Sequence, residues 1–329
     1  MPTLSTPLPL RSHTLRNRIV MPPMANNLCD DEGRVSDRLV EHYRRHAAGG
    51  QGMVIVEHAY VTPRGRVDPH QLGIARDEHV AGLARIAAAI HEGNAVAIAQ
   101  ITHGGARCPS SATGAEPLGP SDIRVPGDAE DPRPMTPAEI QEIPGLFAAA
   151  ARRALAAGFD GVEVHGAHGY LLNEFTSPFT NRRSDAYGGS VDGRLRLPLE
   201  TLRAVRAALG PSALLLYRFG ADDGVDGGLT PHEAARFAPR LVEAGVDLLD
   251  VSGGLCGSRP ADRTGQGFFV EAASIVRRAV TIPVAGVGGI TDPLIADRMI
   301  REGLVDLVCV GRAQLKDPAW ARKALEALR

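Results

Sequence analysis

Eight short runs rich in Val, Ile and Leu recur along the chain, each followed by a longer segment with apolar residues at helical spacing. This alternation constrains the fold more than any other feature, because neighbouring parallel strands need a crossover, usually a helix, between them. The runs lie at 18–24, 53–59, 96–102, 161–165, 213–219, 248–252, 283–287 and 307–310. Helices are predicted at about 36–49, 77–92, 136–157, 194–209, 230–244, 268–279, 292–302 and 317–328. Eight strands alternating with eight helices fill residues 1–329 and leave no linker, which predicts an α/β fold, a single (β/α)8 TIM barrel in one domain.

Local signals agree with that register. Thr136-Pro137 with Glu139, Thr230-Pro231 with Glu233, and Asp292-Pro293 each set a capping side chain before a proline at the first helical position. Gly158, Gly245 and Gly303 are placed to end three helices. The opening segment 4–17 reads as an N-terminal hairpin closing the barrel bottom. Three long βα loops, 104–135, 166–193 and 253–267, follow strands 3, 4 and 6. They leave strand C-terminal ends, the face on which such barrels build their sites.

Composition narrows the function classes. With 36 basic and 38 acidic residues the net charge is -2, which gives no broad field for nucleic acid or an anionic membrane. All the basic residues are Arg except Lys316 and Lys323. Cys29, Cys108, Cys256 and Cys309 are scattered without a close-spaced pair, so no metal site or iron–sulfur cluster is expected. No run approaches the ~18 apolar residues of a membrane span, and residues 1–10 lack a basic region followed by an apolar stretch. A cytoplasmic protein is expected.

The most informative stretch is Val164-His165-Gly166-Ala167-His168-Gly169-Tyr170 at the end of the fourth strand. Two imidazoles three residues apart, where a strand enters a loop, can converge on one small atom as paired hydrogen-bond donors. Taken alone, the same spacing also fits two ordinary loop histidines. Glycines at Gly286-Val287-Gly288-Gly289 and Gly311-Arg312 follow strands seven and eight, where barrels of this kind often bind phosphate. A dinucleotide fingerprint is not formed, since Thr291 stands where its third glycine would be.

Residues 164–196, VHGAHGYLLNEFTSPFTNRRSDAYGGSVDGRLR, closely resemble the signature of the Old Yellow Enzyme family of FMN-dependent ene-reductases. The similarity continues through Leu15-Arg16-Asn17-Arg18-Ile19-Val20-Met21, Pro23-Met24, Gln100, Arg218, Gly311-Arg312 and Lys316-Asp317-Pro318, covering nearly the whole chain in order. The resemblance implies FMN as cofactor and NADPH or NADH as electron donor. It implies a flavin site formed by Pro23, Met24, Gln100, His165, Arg218, Ser252, Gly253, Gly288, Gly289, Gly311 and Arg312. Arg218 would face the negative charge of the reduced ring near N1, and Gln100 would face the pyrimidine edge. His165 and His168 would hold a carbonyl oxygen and Tyr170 would be the proton donor, these three being the catalytic and substrate-binding set.

The implied reaction is NAD(P)H-driven reduction of the activated C=C bond of a small enone or enal. Alternatives are an oxidative N-demethylase on the same barrel, or a flavin-binding sensor without turnover. The sequence departs from the family at Ala25 and Asn27, where one subgroup carries Cys and Tyr. It departs again at His58, which puts an imidazole close to the expected flavin edge and is counted with the cofactor-binding residues. No tail that could reach a partner's site is expected after Arg329, and a homo-oligomer is left open.

Overall fold

The computed structural model describes residues 1–125 and 127–329. Among them, eight parallel strands close into a barrel. These are β1 (Ile19–Met21), β2 (Met53–Tyr60), β3 (Val96–Thr102), β4 (Gly161–Gly166), β5 (Leu214–Asp222), β6 (Leu248–Gly253), β7 (Val284–Gly286) and β8 (Leu307–Cys309). Each pairs with its neighbour in sequence, and β8 returns to β1 through Val308 opposite Ile19. All eight coincide with predicted runs. Nearly every strand residue is buried, as expected where helices cover one face and the barrel interior the other.

The surrounding helices are α1 (Asp37–Ala47), α2 (Val80–Glu92), α3 (Pro137–Ala156), α4 (Val191–Leu209), α5 (Pro231–Glu243), α6 (Val270–Arg277), α7 (Pro293–Arg301) and α8 (Trp320–Ala327). The predicted caps form. Thr136 accepts from the Glu139 N–H at 3.3 Å while the Glu139 carboxylate accepts from the Thr136 N–H at 2.8 Å. Thr230 accepts from the Glu233 N–H and Asp292 from the Leu294 N–H. Gly158, Gly245 and Gly303 follow the helix ends with φ of +86°, +101° and +68°. No helix among the described residues is long and apolar enough to cross a membrane.

Strand alternation sorts the interior into layers. The antiparallel hairpin Leu8–Leu10 with His13–Leu15 inserts Leu10 and Leu15 into the barrel floor. There they meet Val20, Met53, Ile98, Leu214, Leu216, Leu248 and Leu307. Two residues further along the same strands, and therefore on the same face, Ile98 gives way to Gln100, Leu216 to Arg218, Leu248 to Asp250 and Leu307 to Cys309. A polar layer thus lies above an apolar floor.

In β2 the alternation breaks. Met53 and Ile55 face the interior and Val54 and Val56 the helices, so strict alternation would turn Glu57 inward. The pairing of β2 with β3 slips between Val56 and Ala59. Glu57 instead points to α1, where the Tyr43 hydroxyl donates to its carboxylate at 3.1 Å and accepts from its N–H at 2.8 Å. His58 turns inward. Such a bulge redirects a side chain at little cost to the rest of the sheet.

The three expected long loops are present, and the connections 22–36 and 61–79 after β1 and β2 are long as well. Short elements within the loops were not predicted. They include a two-stranded parallel ladder of Leu118–Gly119 with Arg133–Pro134 and the helices Ser110–Thr113, Leu171–Thr176 and Arg312–Lys316.

Candidate active site

β4 delivers His165 to the mouth of the barrel, beside Arg218 on β5. The chain then turns sharply: His168 has φ +60° and Gly169 φ +71°. A left-handed histidine costs about 1–3 kcal/mol and persists only when its surroundings enforce it. Here the His168 N–H donates to the Gly253 carbonyl at 3.1 Å and the Gly169 N–H to the Asn173 side chain at 2.8 Å. Asn173 is anchored in turn to Asp223, which also accepts from Leu255 and Leu229 N–H groups. The Asn173-Glu174 part of the signature therefore serves the loops, with Glu174 accepting from the Ala106 N–H at 2.8 Å.

This turn brings three rings together. His165 and His168 lie with centroids 5.0 Å apart and nearly perpendicular, and Tyr170 lies 4.6 Å from His165. The Ala167 N–H donates to His165 Nδ1 at 3.3 Å, so the neutral ring carries its proton on Nε2. His168 Nε2 is 2.8 Å from the Ser252 hydroxyl. Burial pulls both imidazoles well below their ordinary range, and nearby positive and imidazole groups add to the effect. They are neutral donors at pH 7. Burial pushes the Tyr170 phenol up to about 12, against a partial opposing pull from Arg107, so it keeps its proton.

Beneath the rings lies the polar layer. Arg218 donates to Asp250 at 2.7 Å, Gln100 donates to Glu163 at 2.8 Å, and Cys309 lies 3.5 Å from Asp250. Burial pushes both carboxyls up, Glu163 further because it also faces the Asp250 charge. Of the two, Glu163 is the one that favours its proton, while Arg218 offsets Asp250. For Arg218, burial alone would weaken the cation, but the acidic surroundings, led by the Asp250 carboxylate at 2.7 Å, outweigh it and hold the guanidinium charged. Glu163 and Asp250 were missed in the sequence. Their signal was an acid inside a run otherwise buried on both faces.

The arrangement fits FMN. Arg218 Nε is buried without a partner among the described residues, leaving one N–H of a fixed cation for an incoming acceptor. Gly288 and Gly289 have φ of +132° and +64°, and a side chain on Gly288 would run into Phe268. A Cβ on Gly289 would lie 3.4 Å from Arg312 Nη2, so that guanidinium overhangs the glycine turn. Arg312 is exposed and makes no ion pair among the described residues. Bare backbone beside an uncompensated Arg suits a terminal phosphate. Met24, following the half-buried Pro23, abuts Gly311, where a Cβ would come within 2.9 Å of its sulfur. Ser252 and Gly253 end β6 as expected, and the Ser252 hydroxyl also contacts His168. Ala25 and Asn27 are exposed, and Asn27 donates to Asp68 at 2.9 Å.

A closed (β/α)8 barrel whose mouth gathers a histidine pair, a phenol and a buried arginine, with a bare glycine turn beside Arg312 after β7 and β8, fits a flavin-dependent oxidoreductase. Comparison with known proteins agrees. Residues 3–329 match the NADH:flavin oxidoreductase / NADH oxidase family. The chain is 41% identical over 328 residues to an NADPH dehydrogenase of Geobacillus sp. (strain WCH70), covering 99% of this chain and 94% of that protein. It is 43% identical over 318 residues to an NADH oxidase of Thermoanaerobacter brockii, covering 95% of this chain; the chain spans about half (49%) of that longer relative. An old yellow enzyme homologue from Zymomonas mobilis superposes with a TM-score of 0.86 at 26% identity, covering 100% of this chain and 94% of that one. The protein belongs to the Old Yellow Enzyme family of FMN-dependent NAD(P)H oxidoreductases.

Denaturing the purified protein should release FMN rather than FAD, because the Gly288-Gly289 and Arg312 corner reads as an end point for a phosphate. Mass analysis of the released cofactor checks this, and FAD would contradict it.

Proposed function

We propose that the protein is an ene-reductase acting on α,β-unsaturated carbonyl compounds, with residues 1–329 working as one unit. The observation that carries this reading is the grouping of two neutral imidazoles and a protonated phenol above a buried arginine. FMN held here would supply the hydride chemistry, with NAD(P)H as its source. The protein's own residues do the rest. His165 Nε2–H and His168 hold the carbonyl oxygen and stabilise the charge that develops on it. His168 Nε2 lies 2.8 Å from the Ser252 hydroxyl, and the reading takes the tautomer in which the hydroxyl donates to Nε2, which would leave the His168 proton on Nδ1 as a second donor for the ligand. Tyr170 gives its proton to the α-carbon. Arg218, whose Nε is without a partner among the described residues, and Gln100 would help to hold the cofactor, the guanidinium offsetting negative charge on its reduced form.

An anaerobic screen with NADH and NADPH against enones, enals and amines tests the reading, which expects nicotinamide oxidation that depends on an enone or enal. Cofactor reduction driven by an amine would replace it with the demethylase, and no turnover with any substrate would leave a sensor. Replacing His165 or His168 with Ala should lower alkene reduction ~10²–10³-fold, the usual cost of losing one donor to a developing oxyanion. Phenol, whose oxygen resembles the enolate, should bind more weakly while FMN stays bound. Unchanged phenol affinity and turnover in both variants would remove the pair from its role.

A further inference from the structure

The bulge in β2 brings to the site a group that the reaction above does not use. We propose that His58 is a specificity-determining residue: an N–H donor, locked in orientation by Gln71, that binds a second hydrogen-bond acceptor on the substrate. The preferred alkenes are then unsaturated carbonyl compounds carrying a further oxygen acceptor, such as ene-diones, a narrowing that rests on the ene-reductase reading.

The lock follows from donor and acceptor inventory. Gln71 is buried, and its Oε1 accepts from the Val67 N–H at 2.7 Å. A backbone N–H can only donate, so the amide orientation is settled and Nε2 is the donor end. That Nε2 lies 2.7 Å from the His58 carbonyl and 3.2 Å from His58 Nδ1. Nδ1 therefore accepts, and a neutral ring must carry its proton on Nε2. The ring is neutral at pH 7, since burial pulls it down to about 4 and Asp68 opposes this only in part.

Nε2 has no hydrogen-bond partner among the described residues, and His58 keeps 9% of its surface exposed. The ring lies nearly parallel to Tyr170 at 5.8 Å, and 6.5 Å from His165. Donors thus stand on both His165 and His58, with the phenol beside each of them. A ligand with one oxygen, seated on His165 and His168, leaves the His58 N–H against apolar surface. A ligand with a second oxygen satisfies it. Sites with a polar group to satisfy discriminate more sharply than apolar pockets, because the unpaired donor bears a penalty.

The test uses the FMN-loaded enzyme and two non-reacting probes, phenol and 4-hydroxyacetophenone, titrated through the absorbance of the bound flavin. Both offer a phenolic oxygen, and only the second carries another acceptor. His58→Phe, which keeps the ring and loses the N–H, should weaken 4-hydroxyacetophenone by roughly five- to tenfold while phenol changes by about twofold at most. His58→Gln, which retains a donor, should recover most of the loss. Gln71→Leu, which removes the lock and leaves His58 in place, should show a smaller loss of the same sign. FMN affinity should be unchanged in all three. Equal weakening of both probes, no weakening of either, or loss of FMN with an unchanged probe ratio would overturn the assignment, the last making His58 a flavin contact. Because the probes do not turn over, the result does not depend on the reaction. A wild-type enzyme that discriminates between them through His58 but reduces neither cyclohex-2-enone nor cyclohex-2-ene-1,4-dione would overturn the ene-reductase reading alone.

Discussion

Tyr170→Phe is expected to slow alkene reduction by ~10²–10⁴-fold while leaving cofactor reduction by NAD(P)H nearly intact. The phenol is neutral, half-buried and 4.6 Å from His165 by ring centroid, so it can supply a proton to the substrate carbon. In the proposed cycle it has no part in taking hydride from the nicotinamide. A quinone, which collects protons on oxygen from solvent, should remain a competent acceptor in the variant. Stopped-flow absorbance of each half-reaction separates the steps. Equal slowing of both, or no slowing of alkene reduction, would assign the proton to water or to another group.

The second large effect concerns the layer under the site. Asp250→Asn alone should be tolerated, because Glu163 can release its proton and take over the charge facing Arg218. Glu163→Gln alone should also be mild, since Asp250 keeps its 2.7 Å ion pair. Together the two changes leave a guanidinium whose side chain is only 5% exposed without any carboxylate. Stranding a buried charge in this way costs about 3–5 kcal/mol. Urea unfolding of the wild type, both single variants and the double variant should therefore show a loss well beyond the sum of the singles. Additive losses would mean that the two carboxyls do not substitute for one another.

The barrel was readable because its strands are short apolar runs buried on both faces, a signal that survives without tertiary information. Thr136, Thr230 and Asp292 marked helix starts through chemistry confined to three or four residues. The grouping of His165, His168 and Tyr170 was also local, since one turn of chain carries all three. What escaped reading depends on contacts between distant segments. Glu163 and Asp250 are 87 positions apart and acquire meaning only when β4, β5 and β6 lie side by side. The inward turn of His58 required a slip against β3 that no alternation rule foretells, and its tautomer depends on Gln71 from the next loop. The short helices and ladder in the long loops are too small to leave a periodic trace.

The hairpin at the barrel floor has a consequence for proton traffic. With Leu10 and Leu15 packed among the lowest strand residues, the interior is stoppered by hydrocarbon at one end. The Glu163 carboxyl is therefore shut off from water on that side. Any exchange of its proton is directed toward the mouth, where the cofactor and ligand site also opens, so slow exchange at the hidden acid would report how well that mouth is covered.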